Sequence, residues 1–450
     1  MLDIELLKEC YEEYTSEKSK FDKMYQYYTG KSDAIEKYSA MEYQESHKMN
    51  FNYLKKFIKE EVSYSVGTPI SYVSKNKDNT IVQEIDYYTY HWDKNHDAQL
   101  LKNMLIYSTV YELYHTDKEG QFSAKIISPR EGYAYLDSFG NVELFMRVYQ
   151  KKFDSNTYID VYTDKEVYHF DDEFKEVSDT ESHIFGQVPV STGTLSEELE
   201  KDTLFADIKS IQDGYSIIGS DGVNEITNTR AAIMKGKGVQ LDDKAMNDLK
   251  KYRFANLPNI KNADLEWMIK NLNADYQRLM LDTLEDKMYQ LSFHINSQEK
   301  MQSNTSSLAL RSRLINLEQK TKLNNKALLN VIISRIKFLF IYLKILKNKD
   351  YDYRTIAVKF NSVIPSDDLM MAQIISQLGD KLSLKTGLSQ LSFVEDADLE
   401  IKQKKEEDKK YNIDLDNMNL DKKENNKTLE LISKLPEQDR DLATDILKGE

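Results

Sequence analysis

Cysteine, proline and glycine are all scarce in this chain, which has 1, 6 and 15 of them among 450 residues. Because Cys10 is the only cysteine, an internal disulfide is excluded and a reducing compartment fits. Few prolines and glycines favour long regular elements over loops. A long hydrophobic run is also missing, because the most apolar stretch, VIISRIKFLFIYLKIL (331–346), contains Arg335, Lys337 and Lys344. This stretch is too short and too charged to span a membrane.

Positive charge is in deficit, since 61 lysines and arginines face 75 acidic residues and the formal charge is −14. Such a chain repels DNA and anionic lipid, which argues against a high-affinity DNA-binding protein. It does not exclude a protein through which DNA slides without sticking. The proportions of hydrophobic (40%) and charged (30%) residues are those of an ordinary folded protein.

Motifs that carry chemistry are also lacking. KGKGVQ (235–240) has neither the strand nor the Lys-Ser/Thr of a phosphate-binding loop. HWDKNH (91–96) places its histidines five residues apart, whereas a spacing of four would place both on one helical face for a metal. No GxSxG motif accompanies the other histidines, so the sequence predicts no catalytic centre, no metal and no cofactor. One alternative stays open, an enzyme that uses His169 or His183.

What is present is periodicity, which changes within the first half from helical to alternating. Helices are predicted at 3–28, 48–66, 81–93 and 97–114. ISYVS (70–74) is predicted as a strand. From 121 to 190, alternating segments such as VELFMRVYQKK and YIDVYT predict a small antiparallel sheet. Helices followed by such a sheet indicate an α+β fold.

The second half is mainly helical. A helix over 205–233 carries an apolar stripe formed by Ile208, Ile211, Tyr215, Ile218, Gly222 and Ile226. Mixed short elements are predicted over 235–274, followed by a helix at 275–292. A polar segment separates this helix from a much longer one, predicted from Leu308 to about Leu346. A strand at 355–361 and a capped helix precede a charged tail.

Several stretches stand in the order expected of one protein family. They are YYTGKSDAI (27–35), NFNYLKKFIKEEVSYSVGTPISY (50–72), ISPREGYAYLD (127–137), FADIKSIQDGYSIIGSDGVNEI (205–226), SSLALRSRLINLEQKTKL (306–323), VKFNSVIPSDD (358–368) and LSLKTGLSQLSFVEDADLE (382–400). Together they resemble the portal proteins of tailed double-stranded DNA phages, in the family typical of long-tailed phages of Gram-positive bacteria.

The resemblance implies a portal fold that is mainly helical, with a small antiparallel sheet in a wing, a two-helix stem and a small α/β clip. It also implies a twelve-fold ring at one vertex of a capsid. The implied regions of this chain are a wing at 1–204, stem helix 1 at 205–234, a clip at 235–274, stem helix 2 at 275–292, a tunnel loop at 293–306, a long wing helix with a closing strand and helix at 307–384, and a crown or charged C-terminal tail at 385–450.

The implied tunnel loop would explain why a polar segment separates two helices. Its one cation, Lys300, is balanced by Glu299, which suits a surface past which DNA slides, because strong phosphate contacts would arrest it. The predicted DNA-facing residues are His294, Asn296, Gln298, Lys300, Gln302 and Asn304. The stripe on 205–234 is predicted to pack against neighbouring stem helices, where glycines allow close approach.

The implied function is structural: a portal protein through which double-stranded DNA is packaged and ejected, assembled in the host cytoplasm and located in the virion at the portal vertex. The implied partners are copies of itself in a ring, the passing DNA, the terminase large subunit, a head-completion or adaptor protein, the scaffold and the major capsid protein, without a membrane. A tail or baseplate component of a phage or phage-like particle is the alternative.

Overall fold

The structure is a computed structural model. It describes residues 2–39, 46–198, 201–229, 233–237, 242–244, 264–268, 274–296, 307–361 and 368–389, together with short stretches beyond 390, of which 399–409 is the longest. The chain divides into two compact units, residues 1–363 and residues 364–450.

The helices begin and end at recognisable signals. They are α1 (Ile4–Thr29), α2 (Asp33–Glu36), α3 (Tyr53–Val66), α4 (Asn79–Thr89), α5 (His96–Tyr107), α6 (Leu204–Thr229), α7 (Ala274–Ser292) and α8 (Ser307–Lys347) in the first unit, and α9 (Asp368–Leu378) and α10 (Leu384–Leu388) in the second. Asp3 and Asn52 cap α1 and α3 by accepting from first-turn N–H groups. Gly30, in the left-handed conformation at φ 94°, ends α1 as predicted.

The strands form antiparallel sheets. They are β1 (Ser71–Ser74), β2 (Thr109–Thr116), β3 (Phe122–Ile127), β4 (Gly132–Leu136), β5 (Val142–Gln150), β6 (Thr157–Tyr162), β7 (Glu166–Asp171), β8 (Glu176–Ser182), β9 (Val190–Thr194), β10 (Ile233–Lys237), β11 (Asp264–Met268) and β12 (Ile356–Lys359). One sheet has the order β3-β2-β9, and a five-stranded meander has the order β4-β5-β6-β7-β8. Two strand pairs, β1-β12 and β10-β11, complete the pattern.

The long helix α8 runs through the main core. It is unbroken over 41 residues, which confirms the predicted long helix. Leu328, Ile332, Ile336, Leu339 and Leu343 are spaced by three or four and are at most 2% exposed. They pack in one cluster with side chains of α1, α3, α5 and β2, so α8 holds the helical part and the three-stranded sheet together.

Helix α1 joins this core to the five-stranded sheet. Leu7, Cys10 and Tyr14 pack with side chains from the face of the sheet. Farther along the helix, Phe21 and Met24 belong to the main core. Both sets recur at spacings of three or four, so one amphipathic helix serves two layers.

The structure corrects the prediction of one helix over 97–114. Helix α5 ends at Tyr107, Ser108 turns the backbone at φ 64°, and β2 follows. Six of the eight β2 residues are buried, so the strand lacks the alternation of a half-exposed strand. Periodicity cannot distinguish such a short apolar run from a helix.

Two further expectations change. The helix predicted from 48 begins at Tyr53, because Asn52 caps it and the preceding residues are not helical. The single predicted sheet is two sheets, although its antiparallel character and the mixed helix-and-strand fold are confirmed. A helix predicted within 235–274 lies mostly outside the described residues.

The second unit contains α9 and α10. Ser383 caps α10, with the Thr386 amide donating to its hydroxyl at 3.3 Å. Across both units, none of the helices that the structure describes is long and apolar enough to cross a membrane.

Candidate functional site

Helices α6 and α7, predicted as the stem, pack against each other in opposite directions. Gln277 of α7 donates from Nε2 to the backbone carbonyl of Ile218 in α6 at 3.0 Å. A Cβ atom at Gly222 would lie 2.2 Å from that same Nε2. Glycine at 222 therefore permits this side-chain-to-backbone contact between the helices.

A second face of α6 carries four buried polar residues, Gln212, Ser216, Ser220 and Asn224, here called the polar ladder. The N–H groups of Leu54, Phe51, Met49 and His47 donate to these four side chains in that order, at 2.8–3.4 Å. Four residues of helix advance about 6 Å, and two extended residues about 6.6 Å. The two spacings match for His47, Met49 and Phe51, so this extended segment lies along the helix, and Leu54 follows three residues later in α3.

The residues of the predicted stripe on α6 differ in burial. Ile208 is buried in the main core, and Ile211 and Tyr215 are partly buried against it. Ile208 therefore packs within its own chain. A helical stripe does not reveal which chain buries it, so contact of the stripe with neighbouring copies stays a prediction. Ile226 is 60% exposed, so a contact with another copy stays a prediction there.

The end of α7 and the body of α8 meet at Glu61 of α3, a carboxylate that is 1% exposed. Lys320 Nζ lies 2.6 Å from Glu61 Oε1 and donates to the Ser292 carbonyl at 3.1 Å. Asn324 Nδ2 donates to Glu61 Oε2 at 2.8 Å. These residues and His294 are called the Glu61 cluster below.

His294 lies inside this cluster and not in an exposed loop. Phe293 has a positive φ of 62° and turns the chain back after α7. The His294 ring stacks on Phe57 at 4.4 Å, with Nδ1 2.8 Å from the Ser292 carbonyl and Nε2 3.1 Å from the Phe57 carbonyl. The imidazole ring is buried among residues of its own chain, and the predicted contact of His294 with DNA stays a prediction.

Of the other predicted loop residues, the structure describes Asn296. This residue is partly buried and has an interaction of its own. Gln298, Lys300, Gln302 and Asn304 lie outside the described residues, so their predicted role stays a prediction.

Burial controls protonation in the Glu61 cluster. It raises the pKa of Glu61, against the opposing effect of the Lys320 ammonium. Burial, followed by the nearby charge of Lys320, lowers the pKa of His294 to about 3. His294 is therefore neutral at pH 7 and donates to one of its two carbonyl neighbours.

A second charged cluster, the Arg335 cluster, lies farther along α8. Arg335 donates from Nε and Nη2 to Glu112 of β2 at 2.8–3.2 Å, and its Nη1 lies 2.8 Å from Asp97 Oδ1. His96 Nε2 lies 2.6 Å from Glu112 Oε1. Burial alone would raise the pKa of Glu112, but Arg335 and His96 lower it to about 2.

The histidines of the alternative enzyme hypothesis have structural partners. His183 Nε2 lies 2.9 Å from the Thr163 carbonyl, and its Nδ1 accepts from the Phe185 amide at 3.3 Å. His169 Nδ1 lies 2.7 Å from Asp160 Oδ1, and Asp160 also lies 3.5 Å from Arg147. These contacts account for both rings as parts of a folded sheet.

Cys10, the single cysteine, is buried against the five-stranded sheet. Burial, then Glu13, raises the pKa of Cys10 to about 11, which leaves a thiol with little thiolate at neutral pH. Among the residues that the structure describes, no group of three or more His, Cys, Asp or Glu side chains could hold a metal ion.

Sequence reasoning missed the polar ladder and Glu61, although both left signals. The ladder residues recur every fourth position beside the apolar stripe of α6. Glu61 stands four residues after Phe57 and four before Ser65, on the buried face of α3. Charged side chains are rarely buried unless they have a partner. A charged residue at a position that helical spacing places in the core therefore indicates a buried cluster.

Comparison with protein families identifies the class. Residues 7–414 match the family described as "Phage portal protein, SPP1 Gp6-like". The match spans most of the chain, so the protein is a phage portal protein, a structural component of a phage particle. It belongs to the SPP1 Gp6-like portal family, which confirms the family resemblance. No curated protein matches the chain.

Solved structures of gene transfer agent (GTA) particles are similar in part. The "Neck of native GTA particle computed with C12 symmetry" shares 10% identity, covering 75% of this chain and 88% of that chain, with a TM-score of 0.46. The "Neck of empty GTA particle computed with C6 symmetry" shares 9% identity, covering 73% and 86%, with a TM-score of 0.46. The "Virion of native gene transfer agent (GTA) particle" has the same identity and coverages, with a TM-score of 0.45.

Proposed function

We propose that copies of this chain form a twelve-fold ring at one capsid vertex, through which double-stranded DNA is packaged and later ejected. The observation that carries the proposal is the family match over residues 7–414. The formal charge of −14 supports it, because an acidic ring does not hold DNA by general attraction. The ring assembles in the host cytoplasm and remains in the virion.

The regions implied by the sequence become parts of this proposal. The wing is 1–204 with 307–384, the stem is 205–234 with 275–292, the clip is 235–274, the tunnel loop is 293–306, and the crown or tail is 385–450. The close packing of Gly222 against Gln277 supports a stem built from α6 and α7. The clip docks the terminase during packaging and the head-completion protein afterwards, and the ring also contacts scaffold and major capsid protein.

The assembly itself is the first test. A ring of twelve copies of the 52.6 kDa chain has a mass of about 630 kDa and an axial hole. Light scattering and negative-stain microscopy of the purified chain measure both. A monomer that persists at high protein concentration contradicts the proposal.

The tunnel loop is the second test. Replacing Gln298, Gln302 and Asn304 together with lysine adds three phosphate contacts per copy, so DNA packaging is expected to slow or stop while the ring still assembles. The matched control places lysine at Ser155 and Asn156, exposed residues between β5 and β6, and at Ser178, an exposed residue of β8. Unchanged packaging in the first variant shows that the segment does not face DNA.

A further inference from the structure

We infer that Glu61 is a positioning residue for the DNA channel, because its carboxylate fixes α8 relative to the end of α7. These two helices flank residues 293–306, so the inference rests on the proposed function of that segment. Glu61 itself belongs to neither helix and lies on α3 of the wing.

The contacts tie three elements at one point. Lys320 of α8 reaches both Glu61 Oε1, at 2.6 Å, and the carbonyl of Ser292, the last residue of α7, at 3.1 Å. Asn324, one turn farther along α8, donates to the second carboxylate oxygen at 2.8 Å. One ion pair and one hydrogen bond from the same helix, on the two oxygens of one carboxylate, fix the rotation of that helix as well as its distance.

His294 adds the chain that leaves α7. Its Nε2 lies 3.8 Å from Glu61 Oε1 and 3.1 Å from the Phe57 carbonyl of α3. The ring stacks on Phe57, so the chain emerges from a fixed position beside the carboxylate. Because the His294 imidazole is neutral, the positive charge that balances the Glu61 carboxylate comes from Lys320.

The position of the cluster along α8 amplifies small changes. Lys320 lies thirteen residues after Ser307, where α8 begins, a distance of about 20 Å along the axis. A 10° tilt of α8 about the cluster would move its beginning by about 3.5 Å. Weakening the contact at Glu61 is therefore expected to be felt where the helix meets the tunnel loop.

Glu61→Gln tests the charge with little change of shape, because glutamine keeps the size and one acceptor oxygen for Asn324. Glu60→Gln is the matched control, since Glu60 is the adjacent residue of α3, is 40% exposed in its side chain and pairs with Lys56 at 3.4 Å. Both variants remove one negative charge from the same helix turn.

The readout is the distance between spin labels on cysteines placed at Leu291 and Ile315, which are about half exposed. Native Cys10 is buried and its thiol pKa is raised to about 11, so it does not compete for the label. Labelled copies are diluted with unlabelled ones, so that each ring carries one labelled pair. The expected result is a distance distribution at least twofold wider in Glu61→Gln and unchanged in Glu60→Gln. A wild-type width in Glu61→Gln overturns the inference.

A second variant covers the case in which Glu61→Gln fails to fold. The double variant Glu61→Gln with Lys320→Gln leaves no unpaired buried charge, so folding and assembly are expected. Its distribution is expected to stay wide, because the pairing is gone. If it is as narrow as in the wild type, the ion pair does not position the helices.

A DNA assay separates this inference from the proposed function. With rings intact, Glu61→Gln is expected to reduce packaged DNA several-fold, and Glu60→Gln to leave it unchanged. If wild-type rings carry no DNA at all, the proposed function fails, while the label distances still decide whether Glu61 positions the helices. If the distances widen but packaging stays normal, Glu61 positions α8 without any role in the channel, and the inference fails in its functional part.

Discussion

Arg335 and Lys320 lie about 22 Å apart along α8, and each meets a buried carboxylate from another element. Arg335 holds Glu112 through two nitrogens and Asp97 through the third. Lys320 meets Glu61 through one ammonium, which it shares with a backbone carbonyl. The planar fork of arginine fixes direction, whereas an ammonium acts as a point charge.

The pKa values of the two carboxylates shift in opposite directions. Although burial opposes ionisation of both, Arg335 and His96 lower the pKa of Glu112 to about 2, whereas the pKa of Glu61 is raised. At Glu112 the charged partners outweigh the effect of burial on the pKa, whereas at Glu61 the effect of burial is larger. We therefore expect the part of α8 at Arg335 to be held more firmly than the part at Lys320.

The largest expected effect is that of Glu112→Gln. The change leaves a buried guanidinium without its main counter-charge, and breaking a buried pair in this way costs about 3–5 kcal/mol of unfolding free energy. Urea denaturation at pH 7 measures the loss. Glu143→Gln, at an exposed position of β5, is the control and is expected to change little. A loss below about 1 kcal/mol at Glu112 would remove the distinction between the clusters.

Lys320→Met comes next, with an expected loss of about 1–3 kcal/mol. The loss is smaller because Glu61, with its pKa already raised, can bind a proton when its partner is removed. Acidification from pH 7 to 5 should therefore shrink the deficit of this variant and not that of Glu112→Gln. The control is Lys322→Met, whose exposed ammonium pairs with Glu318 one turn earlier. Equal pH dependence of the two variants at Glu112 and Lys320 would contradict the comparison.

In the wild type, the two clusters are also expected to lose stability over different pH ranges. The pKa of buried His294 is about 3, below its ordinary value of 6.5, so below pH 6.5 the unfolded chain binds a proton that the folded chain does not. Stability is then lost as pH falls from about 6.5 toward 3, by up to about 2 kcal/mol at pH 5. The low pKa of Glu112 adds a loss only between about pH 4.5 and 2.

The variant His294→Gln tests whether His294 causes the loss of stability as the pH falls below about 6.5. Urea midpoints between pH 7 and 5 are expected to fall less steeply in the variant than in the wild type. Some slope remains, because burial also lowers the pKa of His115. His91→Gln, at an exposed position, is the control. An unchanged slope in His294→Gln would assign the acid sensitivity elsewhere.

Elements with a clear period could be predicted from the sequence, and contacts between distant residues could not. The spacing of apolar residues predicted α6, α7 and α8 almost to their ends, and Gly30 marked the end of α1. Strand β2 was missed because burial on both faces erases alternation. The difference lies in range, since periodicity is local, whereas burial depends on what packs against the segment.

The candidate site shows the same division. The polar composition of 293–306 could be seen in the sequence, but the burial of His294 against α3 could not. It depends on Phe57, Glu61 and Lys320, which are distant in sequence and close only after folding. The charges at 61 and 335 interrupt apolar stripes, yet which carboxylate meets which cation is decided by tertiary packing.

The smallest expected loss of unfolding free energy is in the polar ladder, which carries no charge. It gives the cost of losing an uncharged hydrogen bond, with which the costs at the two charged clusters are compared. Ser220→Ala removes the acceptor of the Met49 amide, a bond of 2.9 Å in a buried position, and is expected to cost about 1 kcal/mol. Ser210→Ala, at an exposed position of the same helix, removes a hydroxyl and gains the helix propensity of alanine, so it is expected to be neutral or slightly stabilising. Urea midpoints of the two variants give the difference. If Ser220→Ala costs as much as Lys320→Met, charge contributes nothing special at Glu61, and the contrast between the two ends of α8 reduces to the number of hydrogen bonds at each.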